Sequence, residues 1–144
     1  MFLGEYQHTL DPKGRVILPS AFRGELGEGL VITIGIDHCL TLHPAADWQH
    51  VVQGLRALRT TDRRERMFAR MLLSSAHPET LDKQGRITIP GRLRDYAALV
   101  KDVTVVGSDA RFELWNTSSW VDYRDQAMAD FADTERPFEM GGIF

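Results

Sequence analysis

A fifteen-residue phrase occurs twice in this chain, and it constrains the fold more than any other feature. Thr9-Leu10-Asp11-Pro12-Lys13-Gly14-Arg15-Val16-Ile17-Leu18-Pro19-Ser20-Ala21-Phe22-Arg23 returns 71 residues later as Thr80-Leu81-Asp82-Lys83-Gln84-Gly85-Arg86-Ile87-Thr88-Ile89-Pro90-Gly91-Arg92-Leu93-Arg94. Thr, Leu, Asp, Gly, the loop Arg, Pro and the final Arg are identical in both copies. With one residue inserted the match continues. Val31-Ile32-Thr33-Ile34-Gly35-Ile36-Asp37 aligns with Val103-Thr104-Val105-Val106-Gly107-Ser108-Asp109, and Trp48 aligns with Trp120. The chain is therefore a tandem duplication of one supersecondary unit, and its halves can pair with each other.

Each unit reads alike. An extended segment (Tyr6–Leu10; Glu79–Leu81) leads into a Gly-containing turn at Asp11–Arg15 or Asp82–Arg86. Val16-Ile17-Leu18 or Ile87-Thr88-Ile89 then forms a strand ending at Pro19 or Pro90, which cannot donate to a ladder. A helical turn begins there, with Pro at its first position. Val31–Ile34 and Val103–Val106 are strands that turn at Gly-x-Asp and return through Leu40–Leu42 or Phe112–Leu114. Helices close each half, through Trp48, Val51, Val52, Leu55 and Leu58 in the first and Trp120, Tyr123, Ala127, Met128 and Phe131 in the second. Between them Asp62-Arg63-Arg64-Glu65 opens a linker helix with an apolar stripe of Met67, Phe68, Met71 and Leu72, the kind of stripe that usually packs into a core. The expected organisation is a first unit over 5–58, a linker helix over 59–75, a second unit over 76–132 and a mobile tail over 133–144.

The net charge of −3 argues against nonspecific coating of nucleic acid. Residues 1–72 hold 9 Lys+Arg and 8 Asp+Glu, whereas residues 73–144 hold 8 and 12. Any DNA contact must then come from local basic loops. The single cysteine, Cys39, excludes an internal disulfide and reads as a half-buried small side chain. No apolar run of roughly 18 residues predicts a membrane span, and the start lacks a signal peptide pattern, so a cytoplasmic protein is the default. His43 and His50, seven apart on an expected helix, have no acidic partners for a metal, and no nucleotide-binding or hydrolase motif occurs. No cofactor and no enzymatic activity are expected.

Chemistry concentrates in the two loops. Gly14 and Gly85 permit a positive φ, and Asp11 and Asp82 can cap backbone N–H groups within the turn. Arg15 and Arg86 are then held on a stiff platform beside a strand, with Lys13 or Lys83 at the tip. A guanidinium binds phosphate or a guanine edge in bidentate fashion. The same Asp-x-x-x-Arg spacing also suits an ion pair that merely shapes the turn, and both roles can coexist. Arg23, Arg92 and Arg94 are candidates for phosphate contacts or for plain solvation, and Arg63, Arg64, Arg66 and Arg70 form a basic helix face.

Gly4-Glu5-Tyr6-Gln7-His8-Thr9-Leu10-Asp11-Pro12-Lys13-Gly14-Arg15, the second Asp82-Lys83-Gln84-Gly85-Arg86 and the overall length closely resemble the bacterial MraZ family of two tandem AbrB/SpoVT-type units. The resemblance implies a mainly β fold with helices: a pseudo-twofold, swapped-hairpin β-barrel with peripheral helices. It implies a ring-shaped homo-oligomer and a nucleoid-associated regulator, a repressor at repeated elements in the promoter of the division and cell-wall gene cluster, its own included. The family's DNA-reading motif falls on Asp11, Lys13 and Arg15, and on Asp82, Lys83 and Arg86. Gln84 stands where the first copy has Lys13, so the first loop is expected to contact DNA more strongly. The rival expectation is an oligomeric interaction scaffold or an antitoxin-like protein that masks a partner, suggested by the acidic second half and the Met140–Phe144 end.

Overall fold

The leading segment of each half is a short extended strand. In the computed structural model, which describes residues 1–135, β1 spans Glu5–Thr9 and alternates exposed with half-buried positions. The tail expected beyond residue 135 lies outside the described residues. After the first loop β2 spans Arg15–Ile17 and stops before Pro19, which sits as the N-cap of α1 (Ser20–Arg23) with φ −54° and ψ 137°. The proline therefore precedes the helix and does not occupy its first turn. β3 (Leu30–Ile34) and β4 (Leu40–Pro44) form a hairpin, and its tip holds Asp37 and His38 at positive φ. The helix α2 (Trp48–Arg56) ends the first half.

The linker helix α3 (Arg63–Ser75) begins at Asp62, whose carboxylate accepts from the Glu65 amide at 2.9 Å. The second half repeats the order. β5 (His77–Glu79) and β6 (Arg86–Thr88) lead to α4 (Gly91–Tyr96). β7 (Asp102–Ser108), β8 (Arg111–Asn116) and α5 (Thr117–Ala132) follow. The Asn116 side chain caps α5 by accepting from Ser119 N at 3.1 Å.

The pairing interleaves the halves. One antiparallel six-stranded sheet runs β1-β7-β8-β4-β3-β5, and β2 pairs with β6 in a separate two-stranded ribbon. β1 of the first half thus lies on β7 of the second, and β5 of the second lies on β3 of the first. Among the described residues the six-stranded ladder does not close; its edges are β1 and β5. The architecture is mixed α/β with mostly antiparallel sheet, and it departs from a mainly β expectation because α3 and α5 run for 13 and 16 residues.

Both halves supply one core. Val16 and Leu18 are buried with Ile87 and Ile89, while Phe2, Phe22 and Phe112 pack with ring centroids 4.9–5.2 Å apart. Each such side chain contributes roughly 1.5–3 kcal/mol by leaving water. Gly107 is required by the N-terminal residues, since a Cβ there would lie 2.5 Å from Leu3 N. α5 is tied across to β1, where Trp120 Nε1 and Arg124 Nη1 both donate to Glu5 carboxylate oxygens at 2.6 Å. Trp120 also packs on Trp115, and Trp48 packs on His43, so the paired tryptophans meet different neighbours.

Three expectations are corrected. The stripe on α3 is not core: Met67, Phe68 and Met71 are exposed, and the helix docks mainly near its end, where Leu72 O accepts from Thr33 Oγ1 at 2.6 Å. His43 lies in β4 and not on a helix with His50. Cys39 is fully buried and donates to Ile36 O at 3.2 Å; burial, then the Glu113 carboxylate, pushes its thiol up to about 12. No helix among the described residues is long and apolar enough to cross a membrane.

Candidate nucleic-acid interface

The loop geometry follows from one carboxylate and one glycine. Asp11 Oδ1 accepts from the amides of Lys13 at 2.9 Å and Arg15 at 2.8 Å, and Oδ2 accepts from Arg15 Nε at 2.7 Å. Two backbone bonds close the turn, Asp11 N to Arg15 O and Gly14 N to Asp11 O. The second loop is the same within about a tenth of an ångström. Asp82 Oδ1 accepts from Gln84 and Arg86 amides at 2.9 Å, and Oδ2 accepts from Arg86 Nε at 2.7 Å. Gly14 and Gly85 have φ of +78° and +77°, which side-chain-bearing residues resist.

These contacts hold both carboxyls below the usual range. The Arg15 or Arg86 amide hydrogen bond is the largest cause, aided by the guanidinium's own hydrogen bond and charge. The turn-shaping ion pair and an outward arginine are therefore compatible. Asp engages only Nε, so among the described residues Nη1 and Nη2 of Arg15 and Arg86 carry no hydrogen bond.

The ribbon places the two loops at its opposite ends. Arg15 faces Thr88, Val16 faces Ile87, and Ile17 faces Arg86. Since alternate side chains share a face, Val16 and Ile87 point inward and are 1% exposed. Arg15, Ile17, Arg86 and Thr88 share the outer face, and Ile17 is 44% exposed. Lys13 and Lys83 are exposed at the loop tips. The structure thus brings Asp11, Gly14 and Arg15 together at one end of the ribbon and Asp82, Gly85 and Arg86 at the other.

Each loop is seated by the opposite half. Gly85 O accepts from Leu18 N at 3.0 Å, and Gly14 O accepts from Ile89 N at 2.8 Å. The Arg23 guanidinium lies over Gly85, while that of Arg94 lies over Gly14. A Cβ at Gly85 would come within 2.5 Å of Arg23, and one at Gly14 within 2.9 Å of Arg94. Arg23 is latched by donating from Nε and Nη2 to Leu18 O at 3.1 and 2.9 Å. These two arginines brace loops, a role their spacing from the prolines did not indicate. Arg92 donates to Ser74 O at the end of α3, and Arg66 donates to Thr60 O. Among the described residues no three His, Cys, Asp or Glu side chains are placed to hold a metal ion.

A sequence family described as "MraZ protein, putative antitoxin-like" matches twice, over residues 1–71 and 72–140, so the division falls within α3. The chain is 48% identical over 135 residues to the "Transcriptional regulator MraZ" of Salinispora arenicola, covering 94% of this chain and 95% of the relative. A relative of the same name from Desulfitobacterium hafniense (strain Y51) is 47% identical, covering 99% of this chain and all of the relative. Another, from Natranaerobius thermophilus, is 46% identical over 91% of this chain and 92% of its own length. Two family matches that tile the chain, and relatives this similar across almost every residue, mean that the chain belongs to the MraZ family.

Proposed function

We propose that the chain is a sequence-specific DNA-binding transcriptional regulator that reads the major groove with the β2–β6 ribbon and its two loops. The carrying observation is the ribbon's outer face, where two partly exposed arginines are pinned by Nε and, among the described residues, leave their Nη atoms without a hydrogen bond. The major groove admits a two-stranded β-ribbon, and bidentate arginine to guanine is its commonest specific contact. Arg15 and Arg86 contact base edges, while Lys13 and Lys83 contact phosphates and fix register. Asp11, Gly14, Asp82 and Gly85 organise the loops.

The two units, over 5–58 and 76–132 with the linker helix between, are related by a pseudo-twofold and exchange strands without closing a barrel; the pairing of β1 with β7 and of β5 with β3 supports this reading. Several copies assemble in a ring, so that many weak loops engage successive promoter repeats through effective concentration. This reconciles a net charge of −3 with DNA binding. In this reading the protein is a nucleoid-associated repressor of the division and cell-wall gene cluster, and it acts on its own promoter.

The test is Arg15→Ala against promoter DNA containing tandem repeats. Affinity should fall by roughly 1–3 kcal/mol per lost bidentate contact, with relaxed sequence preference. Unchanged affinity and preference would sink the model.

A second reading, a partner-binding scaffold or antitoxin-like protein, is favoured by the exposed Met67, Phe68 and Met71 on α3. Salt separates the two. A DNA reader loses affinity steeply with salt, with a log–log slope of about −0.9 per neutralised phosphate, whereas a scaffold shows no DNA binding even at low salt.

A further inference from the structure

We infer that Ile17 and Thr88 are specificity-determining residues that read the 5-methyl groups of thymines beside the bases engaged by the loop arginines; the inference rests on the DNA-reading function proposed above. Ile17 is anomalous as a structural residue. It closes the three-residue strand β2 beside Val16, which is 1% exposed, yet it is itself 44% exposed and lies outside the core cluster. Its surroundings are polar: Arg86 stands directly opposite, and Arg15 is two residues back on the same face. Thr88 stands opposite Arg15, so the four side chains form a quadrilateral with arginines on one diagonal and β-branched residues on the other.

Because Asp11 and Asp82 hold the guanidinium Nε atoms, neither arginine is free to fold over and shield its apolar neighbour. Two residues along a strand span about 7 Å, close to two base-pair steps. A base edge engaged by Arg15 therefore brings the next one or two base pairs over Ile17. In the major groove the apolar group on offer is the thymine methyl. Ile17 and Thr88 are equivalent positions of the two halves, separated by 71 residues. Both carry a γ-methyl, and Thr88 adds a hydroxyl that serves several bases. The Ile17 arm is accordingly the stricter reader, which gives the pseudo-symmetric ribbon a direction on DNA.

The test uses the full chain and duplexes enriched from a randomised library on the wild-type protein. In the enriched duplex each thymine is replaced singly by deoxyuridine, which removes only the methyl. The expected result is that deoxyuridine at one or two positions per repeat weakens wild-type binding about fourfold, the worth of one buried methyl-sized group. Ile17→Ala should bind the thymine and deoxyuridine duplexes alike at its position, while Ile17→Val, which keeps the γ-methyl and loses only the δ-carbon, should still discriminate. Thr88→Ala should be blind at a different position. Equal binding of thymine and deoxyuridine duplexes by the wild type overturns the inference and leaves the DNA reader standing. So does an enriched duplex with no thymine beside its guanines, or discrimination that survives unchanged in both alanine variants. Failure to enrich any duplex at low salt overturns the DNA reader itself.

Discussion

Gly85 shows how one position can be constrained twice. Its φ of +77° is costly for any side chain, and the Arg23 guanidinium occupies the place of a Cβ. Gly85→Ala should therefore cost about 1–2 kcal/mol in backbone strain and also displace Arg23 from Leu18 O. In a thermal melt the midpoint should drop by several degrees; an unchanged midpoint would show that the loop relaxes freely. The hydrogen bonds that Asp11 and Asp82 accept from amides two and four residues on were legible in the sequence, because they depend on short-range chain geometry alone. The bracing by Arg23 and Arg94 was not, because it depends on which half meets which. His43 carries a second residue-level prediction. Burial, then the positive charge of Arg111, pushes its imidazole down to about 4, with Asp47 opposing. The unfolded chain takes up a proton near pH 6.5 that the native state refuses until about 4. This contribution to stability is complete above pH 6.5 and erodes as pH falls toward 4, by up to about 3 kcal/mol. Melts across that range should slope less for His43→Leu than for wild type, and parallel slopes would refute the assignment. Asp11 and Asp82 act in a lower window: their depressed carboxyls stabilise the loops above about pH 4, and that contribution is lost as pH falls through the folded values.

At the level of elements, helix starts were the most readable features because caps are local. Asp62 and Asn116 both accept from the amide three residues on. Asp62→Ala should remove the α3 cap at a cost of about 1 kcal/mol, seen as a lower urea midpoint at unchanged slope. A midpoint equal to wild type would mean the helix is held by its C-terminal docking alone. Strand limits were less readable. The extended segment expected at Glu79–Leu81 forms its ladder at His77–Glu79, because its register is set by Leu30, Val31 and Ile32 of the other half. The apolar stripe of α3 was visible as a pattern, but amphipathicity does not say what an apolar face packs against. In this chain Met67, Phe68 and Met71 face outward. The ribbon face was hidden for the same reason: Ile17 looks like any strand isoleucine until the pairing Ile17 to Arg86 places it beside two arginines.

For the whole molecule, duplication and strand exchange together determine what can fold alone. Neither half owns a complete sheet. β1 needs β7, β5 needs β3, and among the described residues β2 pairs only with β6. The core is shared in the same way, with Val16 and Leu18 of one half packed with Ile87 and Ile89 of the other. A half expressed alone would expose these apolar faces together with unpaired strand edges, each an invitation to pair with another chain. Because the repeats are equivalent, a second copy of the same half is the partner best shaped to fill the vacancy. The prediction is that residues 1–61 or residues 62–144 expressed separately are never folded monomers. Each should be either unfolded or a homodimer whose thermal midpoint rises with concentration, as mass action requires. Mixing the two halves should restore a 1:1 complex with the far-ultraviolet circular dichroism of the intact chain. Sedimentation across a range of concentrations decides the matter. A cooperatively folded monomer of either half at micromolar concentration or below would show that the interleaved pairing is dispensable.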